Sequence, residues 1–181
     1  MPLPEIVIQS QRLQLRPVSK ADLGGLMEIN GDPEVTLFLP YPTWKTFADA
    51  EAWFERMDRF SRETGSRQLV VVREEDKKLV GTALLFNFDE TSKRLELGYV
   101  IGRSYWRQGY AQEVLRTLLD YLFAIGDIRR VEAEVHPDNV ASMSLLRKLG
   151  FTHEGHLRER YETNGSVYGV NVYGMLAGEW L

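Results

Sequence analysis

ELGYVIGRSYWRQGYAQEVL, residues 96–115, runs a strand into a short loop and the loop into a helix. Gln108-Gly109-Tyr110-Ala111 open that helix. Ala111, Val114, Leu115, Leu118, Leu119, Leu122 and Phe123 recur at helical spacing and give it one apolar face. The first backbone N–H groups of a helix have no intrahelical acceptor, and the helix dipole is positive there. Such an end suits a phosphate or pyrophosphate. Gly109 lets the backbone approach closely, and the small Ala111 keeps the first turn open. A glycine at a helix start equally serves as a plain turn, and the spacing matches neither a P-loop nor a dinucleotide fingerprint.

Working outward, VEAEVH at 131–136 alternates as a strand does, so residues 94–136 form a strand–helix–strand unit whose strands should be parallel neighbours. Upstream, 67–73, 78–88 and 94–102 read as three strands. Polar turns at Glu74–Lys77 and Asp89–Lys93 join them, which predicts an antiparallel meander. Before these, 12–18 is a strand, and Ser19 caps a helix with Asp22 completing a loose capping box. That helix stops near Asn30-Gly31-Asp32-Pro33. LFLPYPTWK at 37–45 reads as a loop, and an amphipathic helix follows at 46–63 with Ala50, Trp53, Phe54, Met57 and Phe60 inward. Downstream, a helix from Asn139 to Lys148 ends at Gly150. Strands at 152–161 and 167–177 flank an Asn164-Gly165 turn. The sum is a mixed α/β chain with a largely antiparallel sheet, and its 181 residues suit one domain spanning 1–181.

Composition narrows the chemistry. The chain has no cysteine, which excludes disulfides, thiolate-ligated zinc and a thiol nucleophile, and fits a reducing cytoplasm. A formal charge of −4 without a basic face disfavours nucleic acid as a partner. No signal peptide is expected from MPLPEIVIQSQRLQL, and no apolar run approaches the ~20 residues that span a bilayer. His136, His153 and His156 do not read as a metal site: His153 and His156 would face opposite sides of one strand, and no carboxylate cluster joins them.

A second informative stretch is HPDNVASMSLLRKLGF, residues 136–151. It reads either as a capped helix closed by glycine or as a ligand wall, with Asn139 and Ser142 facing a molecule beside the preceding strand. Taken in order, QRLQLRPVSKADLGGLMEINGDPEV, LELGYVI, YWRQGYAQEVL, NVASMSLLRKLGF, Glu154-Gly155 and the late Asn-Gly turn resemble the GNAT acetyltransferases along nearly the whole chain. The resemblance is closest to the ribosomal-protein N-terminal (RimJ/RimL-type) branch.

That resemblance implies the acyl-CoA N-acyltransferase fold, with a parallel strand pair splayed by a bulge and helices on both faces. It implies acetyl-CoA as cosubstrate and no metal. Backbone N–H groups of Arg107, Gln108, Gly109, Tyr110, Ala111 and Gln112 would hold the pyrophosphate. Tyr99, Val100 and Ile101 would pair with the pantetheine arm, to which Asn139 would hydrogen-bond. The reaction implied is direct attack of a primary amine on the thioester in a ternary complex. An N–H near Val100 or Ile101 would stabilise the oxyanion. Glu96 would take the amine's proton, directly or through water, although it reads equally as a solvated strand glutamate.

Four positions depart from the family. Trp106 stands where the loop usually starts with Gln or Arg, though tryptophan is familiar in the RimJ/RimL-type branch. Arg107 often gives way to glycine; here it reads as a phosphate partner or as a surface arginine. Leu146 replaces the usual tyrosine acid, shifting that role to Ser142. Gly169 replaces an aspartate of the last strand. The expected acceptor is the α-amine of a ribosomal protein, with a small amine, amino acid or antibiotic as rival. A catalytically weak acyl-CoA-binding module is the non-enzymatic alternative, and an exposed apolar strand edge would serve a homodimer. Another kind of nucleotide-binding protein would prefer ATP or NAD, but the antiparallel meander opposes it.

Overall fold

The computed structural model describes residues 6–125, 127–163 and 165–180, so Asn164 of the anticipated turn and residues 1–5 lie outside the described residues. In chain order the elements are β1 (Ile8–Gln9), β2 (Leu13–Pro17), α1 (Leu23–Asn30), α2 (Pro33–Thr36), α3 (Phe47–Thr64), β3 (Arg67–Arg73), β4 (Leu79–Asp89), β5 (Arg94–Ile101), α4 (Tyr110–Ala124), β6 (Arg130–Val135), α5 (Val140–Lys148), β7 (Thr152–Thr163) and β8 (Ser166–Leu176). The strands form one sheet in the order β1-β2-β3-β4-β5-β6-β8-β7. β5 and β6 are parallel; every other neighbouring pair is antiparallel.

Both faces of the central strands are covered, which is why β3 reads as a continuous apolar run. Leu69 and Val71 point to one side, with Leu115, Leu118, Leu119 and Leu122 of α4 and Leu146 of α5. Val70 and Val72 point to the other, with Leu23 and Leu26 of α1 and Ala50 and Trp53 of α3. The ends of α3 follow from local chemistry: the Thr46 N–H donates to Asp49 Oδ2 at 2.8 Å, and Gly65 stops the helix in the left-handed region at φ 74°.

The mixed α/β architecture and its parallel pair appear as the sequence predicts. Two short elements were not anticipated. β1 is too brief to show alternation. α2 grows out of the stop signal of α1, because Asp32 caps it by accepting the Glu34 N–H at 2.9 Å and Pro33 takes the first helical position. The opposed placement of His153 and His156 is corrected. β7 shifts register between His153 and Gly155, so the two histidines lie opposite Tyr173 and Asn171, on one face of β8. Each has its own partner: the His153 ring lies 5.1 Å from that of Tyr173, and His156 Nδ1 is 3.0 Å from Asn171 Oδ1. Among the described residues no group of three His, Asp or Glu is placed to hold a metal, and no helix is long and apolar enough to cross a membrane.

The meander depends on a close approach at Gly81, where a Cβ would sit 2.2 Å from the Val100 carbonyl oxygen. Gly81→Ala should therefore push β5 off β4 and cost about 1–3 kcal/mol, read as a lower midpoint in urea or thermal unfolding.

Candidate active site

The parallel pairing of β5 with β6 is short. It joins Arg94 to Arg130, Leu95 to Val131 and Glu96 to Glu132, although the strands continue to Ile101 and Val135. On the other side of β5, the β4 ladder is irregular between Phe86 and Asp89, with Asn87 at φ 52°. This bulge lies beside Glu96, the last residue that β6 pairs, and raises the local twist where the two strands separate. Beyond it β5 keeps only its β4 partner. The Gly102 N–H donates to Val80 O at 2.9 Å, so by alternation the main-chain groups of Gly98 and Val100 also face β4. Those of Tyr99 and Ile101 turn into the gap. Of the two N–H groups expected to meet an oxyanion, that of Ile101 points there and that of Val100 does not.

The gap opens into a cleft of about 720 Å³ lined by β5 residues 96–100, β6 residues 133–135, Asn139 and Ser142 of the α5 start, α3, and the loop at 38–42. At its start stands Glu96, 8% exposed and accepting a hydrogen bond from Asn87 Nδ2 at 3.0 Å. Burial pushes the Glu96 carboxyl up to about 7 against the pull of Asn87, and the nearby carboxylates of Glu134 and Glu132 add to the rise. Further along, the Tyr99 hydroxyl and Ser142 Oγ lie 2.8 Å apart. Burial raises the Tyr99 phenol to about 12, which keeps it protonated. Asn139 caps α5 by accepting the Ser142 N–H at 3.1 Å, which leaves its amide N–H₂ as a donor.

At the far end of β5 the loop into α4 curls through two left-handed residues, Arg107 at φ 60° and Gly109 at φ 81°. Among the described residues, no acceptor meets the N–H groups of 107–112. Successive free N–H groups on such a curl, ahead of a long helix, form a concave anion site. Trp106 ties the loop to the strand, its indole N–H donating to Ile101 O at 2.7 Å. Gln108 donates from Nε2 to Ser104 O at 2.8 Å. Tyr110 points inward, 5% exposed, so only its main chain is open at the loop. Ala111 and Gln112 complete the first turn.

The departures from the resembled family acquire physical reasons. Leu146 is fully buried in the core, away from the cleft. At Gly169 a Cβ would lie 2.5 Å from Leu157 O, leaving no room for an aspartate beside the second irregularity of β7.

Sequence reasoning missed Arg12 and Asn87. Arg12 comes from β2's leading edge, donates from Nη1 to Gln108 O at 3.1 Å and from Nε to Glu113 at 2.7 Å, and lies 4.3 Å over the Tyr110 ring. It thus neutralises the one carboxylate in the first turn of α4 and braces the loop. Nothing local announces this, since the contact spans most of the chain. Asn87 left a signal, because asparagine is enriched at positive φ and so marks a strand irregularity.

This geometry is the one that the sequence resemblance implies for an acyl-CoA-dependent transferase. The acetyltransferase (GNAT) domain family matches residues 12–152, and the chain belongs to that family. An uncharacterized N-acetyltransferase of Bacillus licheniformis is 30% identical over 173 residues, covering 96% of this chain and 97% of the relative. The fold is shared with spermidine N-acetyltransferase from Vibrio cholerae in complex with CoA and spermine (TM-score 0.79, 22% identity, 94% of this chain and 98% of that one). It is shared also with RimL, a ribosomal alpha-N-protein acetyltransferase, in complex with coenzyme A (TM-score 0.82, 22% identity, 94% and 98%).

Arg12→Ala should loosen the loop and weaken acetyl-CoA binding by roughly tenfold, the equivalent of one charge-assisted hydrogen bond, as read by calorimetric titration.

Proposed function

We propose that this N-acetyltransferase moves an acetyl group from acetyl-CoA directly to a primary amine in a ternary complex. The observation that carries the reading is the order of groups along one strand edge. Glu96 stands at the start of an unpaired strand edge, the Tyr99–Ser142 pair lies beside that edge, and the curl of free N–H groups is at its end.

The chain's own groups fit the cosubstrate. The main chain of 107–112, with Arg107 free to approach, would hold the pyrophosphate. The edge of Tyr99 and Ile101 and the Asn139 amide would hold the pantetheine. Bound acetyl-CoA supplies an activated acetyl thioester. Glu96 removes a proton from the incoming ammonium, because only the free amine has a lone pair. The Ile101 N–H donates to the carbonyl oxygen as it gains charge. Once the carbon–nitrogen bond has formed, Ser142, backed by the Tyr99 hydroxyl, passes its proton to the sulfur as the carbon–sulfur bond breaks and regains one from the nitrogen, so the amine's second proton ends on the thiol. The sequence pattern favours the RimJ/RimL-type acceptor, a protein α-amine. The spermidine enzyme among the structural relatives keeps a small amine as the second reading. A buried carboxylate at the site argues for an enzyme rather than an acyl-CoA-binding module.

Purified protein should bind acetyl-CoA and not ATP or NAD in calorimetric titration; absence of acetyl-CoA binding would sink the proposal. In a thiol-release assay, kcat/KM should rise as pH passes about 7, where Glu96 loses its proton. Glu96→Gln should lower kcat by about 10²–10⁴-fold while acetyl-CoA still binds. The linked stability has the opposite sign. The folded value lies above the ordinary 4.5, so folding retains this proton. Stability from it is full below about 4.5 and lost as pH rises through about 7. Glu96→Gln should remove that loss, so the inactive variant unfolds no earlier than the parent at alkaline pH. Ser142→Ala and Tyr99→Phe should each lower kcat without changing acetyl-CoA affinity; unchanged kcat in both would move the acid elsewhere.

A further inference from the structure

Three charged side chains line the cleft: Arg56, Glu96 and Glu134. Glu134 is already engaged. Arg160 lies 3.3 Å from it, and the Tyr161 hydroxyl donates to it at 2.6 Å. Glu96 stands where an amine must give up its proton. One carboxylate therefore remains for one ammonium. Arg56 projects from α3, exposed, and no carboxylate forms an ion pair with it among the described residues. A second cation on the acceptor would leave water for a wall that offers it a positive charge and no counter-ion, which is costly.

Apart from Gln68, Thr82, Asn139 and Ser142, the remaining surface is mostly apolar or aromatic. The Phe38 and His136 rings are 5.0 Å apart, those of His136 and Tyr168 4.9 Å, and those of Tyr168 and Tyr161 5.9 Å. This row runs from the 38–42 loop across the ends of β6, β8 and β7. It takes an aliphatic or aromatic body out of water along its length, whereas a polyamine, charged every few carbons, has little apolar area to bury there and gains only ring–cation contact.

We infer that the acceptor is a monoamine, one primary amine on an apolar or aromatic body with any second charge negative, and that Arg56 excludes polyamines. The inference rests on the acetyl-transfer reading. In the test, 2-phenylethylamine, phenylalanylglycine and spermidine are compared at saturating acetyl-CoA, with the parent protein and Arg56→Glu. The parent should favour phenylethylamine or the dipeptide over spermidine by about tenfold in kcat/KM, the scale of leaving one desolvated charged group without a partner. Arg56→Glu should narrow that ratio by about tenfold, through a gain on spermidine. Spermidine turned over as well as the aromatic amines by the parent, or a ratio indifferent to Arg56→Glu, would overturn the monoamine assignment and leave acetyl transfer standing. No turnover of any of the three with acetyl-CoA bound would overturn both.

Discussion

The end of the β5–β6 ladder at Glu96 and Glu132 is the constraint on which the rest of the protein depends. A strand that continues without a neighbour exposes a row of N–H and C=O groups, and in a buried setting such groups must find partners. The protein answers part of that demand itself. Trp106 takes the Ile101 carbonyl, and β4 takes every second residue. The N–H and C=O groups of Tyr99 and the Ile101 N–H, beyond the last β6 pair, form one edge of the cleft, which suits an extended, amide-bearing ligand arm. The same separation leaves room for Glu96 to be buried without a cation.

Keeping the gap open takes work from several elements. The bulge at Asn87 twists β4 beside the point of separation, and the Asn87 side chain then holds Glu96. At the other end, Arg12 braces the loop before α4 by bonding the Gln108 carbonyl and neutralising Glu113. A carboxylate in the first turn of a helix normally satisfies the dipole there and competes with an anionic ligand. With Glu113 turned toward Arg12 and Ser10, it does not cover the N–H groups of 107–112.

The electrostatics of the cleft follow from what its carboxylates face. Glu132 and Glu134 lie on the same strand and the same face, two residues apart, yet both are ion-paired, to Arg94 and Arg130 in one case and to Arg160 in the other. Glu96 is left with a neutral amide, and burial dominates its protonation. The adjoining strands β5 and β6 thus carry two ion-paired carboxylates and one held only by a neutral amide. Environment makes the difference.

Local pattern was enough for much of this. The periodicities of 94–136 reveal a parallel pair joined by a helix, the alternation and turns of 67–102 a meander, and Gln108-Gly109-Tyr110-Ala111 a helix start, because each depends on residues close in sequence. Asn139 and Ser142 were legible for the same reason, as cap and first-turn residue of one helix. What periodicity leaves open is where strands stop pairing and which side chains meet across them. The two-residue β1, the histidines of β7 brought to one face by a register shift, the Asn87–Glu96 bond across the bulge, Arg12 on the α4 loop and the lone Arg56 in the cleft wall were decided by tertiary structure. The physical reason is that register, burial and ion pairing depend on groups far apart in the chain, whereas alternation and capping depend on neighbours.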